Sequence, residues 1–171
     1  AQHYRDAKIL TIYEGTTGIQ ALDLIGRKTL SDQGAALSLL LADIQVTTEE
    51  LRAANTLHPS ILDGLESALA RGIMAREWLL QSSAADANLA GSVSVNFLML
   101  FGYLCGGWLM AKAAGIAQAQ LAAAEGDASF LNNKLITARF YAEHLLPRTQ
   151  GHLSAMLAGS ESTMALAEDA F

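Results

Sequence analysis

The residues best suited to chemistry lie near the start of the chain, in the run IYEGTTG at positions 12–18. A carboxylate such as Glu14 serves as a general base once its surroundings shield it from water. Two threonines then precede a helical pattern, and the first turn of a helix presents unpaired N–H groups to anionic or polar groups. The same run also describes an ordinary loop with Thr16 or Thr17 as a helix cap. The residue types alone leave both interpretations open.

Helices on both sides must position this run. Residues 1–10 have the pattern of the last turns of a helix, and the next helix begins where the run ends and extends to about Arg27. Ile19, Leu22 and Ile25 recur at helical spacing, and with the flanking Ala21 and Leu24 they predict its apolar face.

Three stretches carry a resemblance to a known family: RDAKI at 5–9, IYEGT at 12–16 and GIQALDLIGRK at 18–28. In this order they resemble the C-terminal catalytic segment of the acyl-CoA dehydrogenases, a family of flavoenzymes. The resemblance implies that Glu14 removes the α-proton of an acyl-CoA thioester while a β-hydride passes to N5 of the flavin.

The neighbouring positions acquire roles from the same resemblance. It implies that Gly15 lets the substrate approach the backbone closely, and that Thr16, Thr17 and Gly18 contact FAD. Gly18 stands where other members of the family often carry glutamine. The TTGIQ form is similar to a longer subgroup with a C-terminal extension, the 3-methylmercaptopropionyl-CoA dehydrogenase type.

The implied function is α,β-dehydrogenation of an acyl-CoA thioester by a full-length protein that binds FAD. An electron-transferring flavoprotein is the implied electron acceptor, and the family implies a homo-oligomer. The single Cys105 fits a reducing compartment, and we expect a cytoplasmic protein. We expect the isolated chain to be inactive, because the flavin pocket and most of the acyl-CoA channel would precede Ala1. The competing hypothesis is a non-catalytic helical module for oligomerisation or partner binding.

The composition predicts an all-α fold. Hydrophobic residues make up 51% and charged residues 16%, which argues against disorder, and only two prolines interrupt a chain rich in alanine and leucine. The net charge of -6, without a basic cluster, gives no electrostatic footprint for nucleic acid. The composition shifts near Leu30. We therefore expect residues 1–30 to end the dehydrogenase C-terminal domain and residues 31–171 to form a helical-bundle extension.

Cap signals and helical spacing divide the extension. A helix is predicted to begin near Ser31, and residues 47–50 are either a capping box that starts a fresh helix or a β-branched interruption. Pro59 suits the first turn of a helix that runs to about Ser82.

Later helices carry similar signals. A fifth helix runs from about Leu89 to Ala114, and Gly115 is predicted to end it. The sixth begins with Asp127 or Ser129 as its cap, and Pro147 kinks or ends it. Residues 160–171 form either a short final helix or a frayed end.

The fifth helix raises the question of a membrane span. Residues 93–111 contain Asn96 as their one strongly polar side chain, which is near the length needed to cross a bilayer. We favour a buried helix at the centre of a bundle, because amphipathic helices surround it. Gly102 and Gly106 have the spacing that permits close helix packing.

Other chemistries find little support. The histidines at 3, 58, 144 and 152 have no metal-binding spacing, so we expect no metal site. Serine and histidine are too scattered to suggest a catalytic triad. Cys105 has no partner for an internal disulfide and lies among apolar residues, which predicts a buried, unreactive thiol.

Overall fold

The computed structural model describes residues 2–11 and 16–170. Over these residues it contains helices and their connections and no β-strand, so the predicted all-α fold is confirmed. Helix α1 (Gln2–Lys8) leads into a 3-10 turn (Ile9–Thr11), and α2 (Thr17–Asp23) continues as a π-helical segment (Leu24–Leu30). There follow α3 (Ala35–Ala54), α4 (Pro59–Ser82), α5 (Leu89–Ala122), α6 (Ala128–His144), α7 (Arg148–Leu157) and a last 3-10 turn (Glu168–Ala170).

Helix α5 forms the centre of the bundle, because α2, α3, α4, α6 and α7 all pack against it. Its buried side chains, among them Val93, Phe97 and Leu104, lie in one continuous hydrophobic core with those of its neighbours. This packing explains why the helix is apolar around most of its circumference. Among the described helices it is also the one long and apolar enough to cross a membrane, a property that core helices of soluble proteins share.

Helix α5 is longer than predicted. It passes through Gly115 and ends at Ala122. Gly115 makes room for Leu51 of α3, since a Cβ added there would lie 2.6 Å from the leucine Cδ2. The prediction that Gly115 ends the helix is therefore wrong, because this glycine permits close packing. The helix instead ends before Ala124, whose φ of 54° is in the left-handed region common after helix C-termini.

The bounds predicted for α4 are confirmed. Pro59 occupies the first turn, and His58 caps the helix by accepting the backbone N–H of Ser60 at Nδ1. One stripe of the helix at three- and four-residue spacing is buried: Ile61, Leu65, Ala68, Gly72, Ala75 and Leu79.

Residues 47–50 lie within one continuous helix, α3, so both predicted alternatives, a fresh helix start and an interruption, are wrong. Thr47 and Thr48 donate their hydroxyls to the carbonyls of Asp43 and Ile44, at 2.9 and 2.7 Å. These bonds keep the β-branched pair within the helix. The helix begins at Ala35 and later than predicted, because residues 31–34 form a turn in which Gln33 and Gly34 have left-handed φ values of 55° and 73°.

The start of α6 is capped by Asp127, whose Oδ1 accepts the backbone N–H groups of Ser129 at 2.9 Å and Phe130 at 3.4 Å. Asp127, one of the two predicted caps, is therefore confirmed. Pro147 lies between α6 and α7 and ends the first of them.

Only one member of the Gly102–Gly106 pair takes part in close packing. A Cβ added at Gly106 would collide with the Tyr141 side chain of α6, whereas one added at Gly102 would meet no atom within 4 Å. The close approach predicted for the pair is thus an α5–α6 contact at Gly106.

Candidate functional site

The two residues with implied roles in proton transfer and substrate binding, Glu14 and Gly15, lie outside the described residues. The described chain approaches them from both sides. It reaches Thr11 in the first 3-10 turn and resumes at Thr16, directly before α2. The described residues nearest to them in the sequence belong to α1, the first 3-10 turn and the start of α2.

The start of α2 presents the predicted cofactor residues on an open surface. The carbonyl of Thr16 accepts the N–H of Gln20 at 2.9 Å, which places Thr16 at the predicted cap position. Its hydroxyl makes no capping bond, because φ -104° and ψ -3° differ from the extended conformation that capping uses. Thr16 and Gly18 are exposed and Thr17 is half-buried. A Cβ added at Gly18 would meet no atom within 4 Å.

One face of α2 packs in the bundle and another is exposed. Ala21 and Ile25 have no exposed surface, whereas Ile19 is 68% and Leu22 48% exposed. The predicted apolar face is therefore exposed at Ile19 and Leu22 and buried at Ile25 and at the flanking Ala21. The helix presents residues four apart to the core, and the spacing of three identified a different face.

Further exposed apolar side chains belong to α1 and to the 3-10 turn that follows it in the sequence. Tyr4, Ile9 and Leu10 are all exposed, and α1 has no buried residue. Exposed apolar surface of this kind marks places that other protein segments or ligands cover. In the sequence, α1 and α2 flank the run that contains Glu14.

The π-helical segment joins α2 to the bundle. The backbone N–H of Ser31 donates to the carbonyl of Gly26, five residues back, at 3.1 Å. Thr29 is buried, and its hydroxyl donates to the Leu24 carbonyl, also five residues back, at 2.8 Å. No sequence signal of helix starts and stops identified this widened turn, because its residue types also suit an α-helix.

An ion pair lies on the outside of this connection. Arg27 Nη2 donates to Asp23 Oδ2 at 3.0 Å. This hydrogen bond and the positive charge of Arg27 lower the pKa of the Asp23 carboxyl. Asp23 is therefore held as a carboxylate by a neighbour, and a carboxylate with a lowered pKa is a poor base.

Folding also brings together a polar cluster that the sequence did not suggest. His58 Nδ1 lies 2.8 Å from Ser60 Oγ, which donates to Glu143 Oε1 at 3.0 Å, and Arg139 Nε donates to the same oxygen at 2.7 Å. Arg139 first, and Ser60 second, lower the pKa of the Glu143 carboxyl. The groups are exposed, and 83 residues separate Ser60 from Glu143 in the sequence.

The geometry of this cluster suits a structural role. His58 uses Nδ1 to cap α4, and the serine hydroxyl points its proton toward a carboxylate that already has an arginine partner. The cluster therefore ties the start of α4 to α6. Beside it lies a groove of about 400 Å³ with apolar walls and a polar rim, lined by Thr56, Leu57, His58, Ile61, Gln118, Leu135, Ile136 and Arg139.

The single thiol, Cys105, belongs to α5. Cys105 is half-buried, and burial raises the pKa of its thiol. A raised pKa leaves little thiolate at neutral pH, which supports the predicted low reactivity, whereas the predicted burial is only partial. Within residues 2–11 and 16–170, no group of three or more His, Cys, Asp or Glu side chains could hold a metal ion.

Comparison with known proteins identifies the family. Residues 20–167 match the family described as acetyl-CoA dehydrogenase C-terminal like. A 3-methylmercaptopropionyl-CoA dehydrogenase of Ruegeria pomeroyi is 43% identical over 146 residues, which cover 85% of this chain and 25% of that protein.

Two further relatives are also named as dehydrogenases. The broad-specificity linear acyl-CoA dehydrogenase FadE5 of Mycobacterium tuberculosis is 38% identical over 85% of this chain and 25% of its own length. A butyryl-CoA dehydrogenase of Syntrophomonas wolfei is 30% identical over 100% of this chain and 28% of its own length. The chain thus spans about a quarter of the length of the curated relatives it matches.

Proposed function

We propose, from the premise that this chain belongs to the acyl-CoA dehydrogenase family as a C-terminal segment, that it completes the active site of an FAD-dependent acyl-CoA dehydrogenase. In this proposal Glu14 is the base that removes the α-proton of an acyl-CoA thioester. The observation that carries the proposal is the open start of α2, where exposed Thr16 and Gly18 directly follow the Glu14-Gly15 pair.

The proposed chemistry makes two demands on the chain. The Glu14 carboxylate takes the proton from Cα, and its backbone N–H donates to the thioester carbonyl, whose oxygen gains charge as the proton leaves. A donor placed at such an oxygen lowers a barrier by about 3 kcal/mol. Bound substrate would exclude water from the carboxylate and raise its pKa toward neutrality, which strengthens the base. Gly15, without a side chain, lets the substrate approach.

Two observations at the start of α2 support the proposal that FAD binds there. The Thr16 hydroxyl is not used as a cap, and the space beside Gly18 is open. Thr16, Thr17 and Gly18 would hold FAD there through hydroxyl and backbone groups. FAD, when bound, supplies the acceptor for the hydride that leaves Cβ as the Cα–Cβ double bond forms.

The test uses the full-length protein with its yellow flavin bound. Addition of acyl-CoA should bleach the flavin, and Glu14→Gln should abolish bleaching while FAD remains bound. Gln has nearly the same shape and cannot accept the proton, so the change isolates the base. Glu50→Gln, at an exposed position of α3, is the matched control and should bleach at the wild-type rate. Full activity of Glu14→Gln would remove the proposed base.

Further parts of the proposal concern the whole protein. We propose an electron-transferring flavoprotein as electron acceptor, a homo-oligomer and a cytoplasmic location. The isolated chain is proposed to be inactive, because a base without its oxidant cannot dehydrogenate the substrate. Assay of the isolated chain with acyl-CoA and an artificial electron acceptor tests this statement, and turnover would contradict it.

A second candidate function is a non-catalytic module for oligomerisation or partner binding. Exposed apolar side chains on α5 and α6 favour it: Leu109, Ile116, Phe130, Ile136 and Phe140. If α6 mediates assembly, Ile136→Gln with Phe140→Gln should lower the mass of the full-length protein in light scattering. An unchanged mass would exclude α6 from the assembly contact.

A further inference from the structure

A groove with apolar walls lies where the start of α4, the last turns of α5 and the middle of α6 meet. Its volume is about 400 Å³, a size typical of small-molecule sites. Its apolar walls are formed by Leu57, Ile61, Leu135 and Ile136. The first two are 9% and 3% exposed and belong to the hydrophobic core. An apolar chain that lies in the groove is therefore shielded from water on the side that faces the core.

The rim of the groove carries hydrogen-bonding groups that the described chain leaves unused. Arg139 donates through Nε to Glu143 at 2.7 Å, and its two terminal nitrogens have no hydrogen-bond partner among the described residues. His58 uses Nδ1 at the start of α4, so its Nε2 is available at the rim. Thr56 and Gln118 add a hydroxyl and an amide. The planar end of a guanidinium matches a carboxylate in geometry as well as in charge.

The charges around the groove favour an anion at this rim. Glu143 offsets part of the Arg139 charge, but it contacts the Nε edge of the guanidinium and does not line the groove. Asp63 and Glu66 in the first turns of α4 are both paired with Arg52, at 2.7 and 2.9 Å. The positive end of the α4 dipole also favours negative charge near the start of this helix.

We propose that this groove binds an aliphatic carboxylate, with the hydrocarbon chain along the apolar walls and the carboxylate at the terminal nitrogens of Arg139. Both carboxylate oxygens accept a hydrogen bond there. The walls remove methylene groups from water, and the guanidinium selects the acid over a neutral molecule of the same shape. None of the lining residues belongs to the run that contains Glu14, and the inference does not rest on the proposed function.

The first experiment changes the two members of the ion pair separately. Octanoate is the probe, and isothermal titration calorimetry with the full-length protein measures its affinity. Arg139→Gln should weaken binding by about tenfold, because it removes the positive charge and the paired donors. Glu143→Gln should tighten binding by about two- to threefold, because no carboxylate then offsets the guanidinium charge. If the ion pair is only structural, both substitutions weaken binding or neither changes it, and either result would overturn the proposal.

Arg27→Gln is the matched control. Arg27 also pairs with a carboxylate four residues away, that of Asp23, and it does not line the groove. This variant should bind octanoate within about twofold of the wild type, since exposed ion pairs contribute little. If it loses as much affinity as Arg139→Gln, octanoate responds to net charge alone and the site is refuted. Octanamide, which has the same chain without the charge, should bind with an affinity that Arg139→Gln changes by less than about twofold.

A chain-length series tests the apolar walls. The affinity of the wild type should rise from butanoate to hexanoate to octanoate, because each step buries further methylene groups. Ile136→Ala should reduce this rise. The position is 66% exposed, so the variant should fold, which an unchanged Tm checks. An equal rise in the folded variant and the wild type would place the chain elsewhere and overturn the proposal. Flavin bleaching by acyl-CoA is a separate measurement, so this result leaves the role of Glu14 to its own test.

Discussion

Gly107→Ala tests how closely α5 packs on the connection between α6 and α7. A Cβ added at Gly107 would lie 2.6 Å from Cδ2, 2.9 Å from Cδ1 and 3.1 Å from Cγ of Leu146. Leu146 is itself buried, so its side chain has little room to move away. The added methyl group is therefore expected to overpack the core.

The magnitude follows from a comparison along the same helix. Alanine in place of glycine in a helix interior stabilises by about 1 kcal/mol, and an overpacked core costs about 1–3 kcal/mol. Gly102 lies on the same helix with no atom within 4 Å of an added Cβ. The helix-propensity gain is common to Gly102→Ala and Gly107→Ala. The difference between their unfolding free energies, about 1–3 kcal/mol, thus isolates the clash with Leu146.

Urea denaturation followed by circular dichroism measures both variants. We expect Gly102→Ala to be more stable than the wild type by up to about 1 kcal/mol and Gly107→Ala to be the less stable of the two. A Gly107→Ala protein as stable as Gly102→Ala would show that the core yields at Leu146. It would refute the reasoning from rigid packing.

Three further predictions concern a cap, a turn and a titration. Asp127→Ala should lower the free energy of unfolding by about 1 kcal/mol, because Asp127 caps α6. Urea denaturation measures this loss. Ala124→Gly should raise the free energy of unfolding by about 1 kcal/mol, because φ at Ala124 is 54°, in the left-handed region where glycine is not strained. Burial, and then the charge of Arg148, lower the pKa of His152. Stability should therefore fall as the pH drops below about 6.5, where the unfolded chain gains the proton first. Denaturation midpoints from pH 7.5 to 5.5 measure this slope, and His152→Asn should reduce it.

Each of these three has a control. Asp127→Asn keeps a capping oxygen and should retain most of the stability that Asp127→Ala loses. Ala123→Gly, at φ -83°, should bring no gain, and an equal gain would contradict the argument from the left-handed region. For the titration, the wild type measured over the same pH range is the control. If His152→Asn does not reduce the slope, another group causes it.

Short-range features of the sequence were sufficient to predict part of the fold. The all-α class, both ends of α4 and the cap at Asp127 depend on neighbouring residues, so spacing and residue type predicted them. The motif run around Glu14 likewise identified the family, since it needs only the order of its residues. The division near Leu30 stays a prediction, as do the roles of the residues from Glu14 to Gly18.

Tertiary packing decided the rest. Gly115 reads as a helix stop in sequence, yet the bundle uses it to admit Leu51. Ile19 suits a core as well as Ile25 does, and only the rotation of α2 against α5 buries one and exposes the other. Sequence by itself thus determined which segments are helical and to which family they belong. The contacts between segments determined helix ends, buried faces and the π register. The free energies of the alternative helix ends and rotations differ through packing against residues that are distant in the sequence.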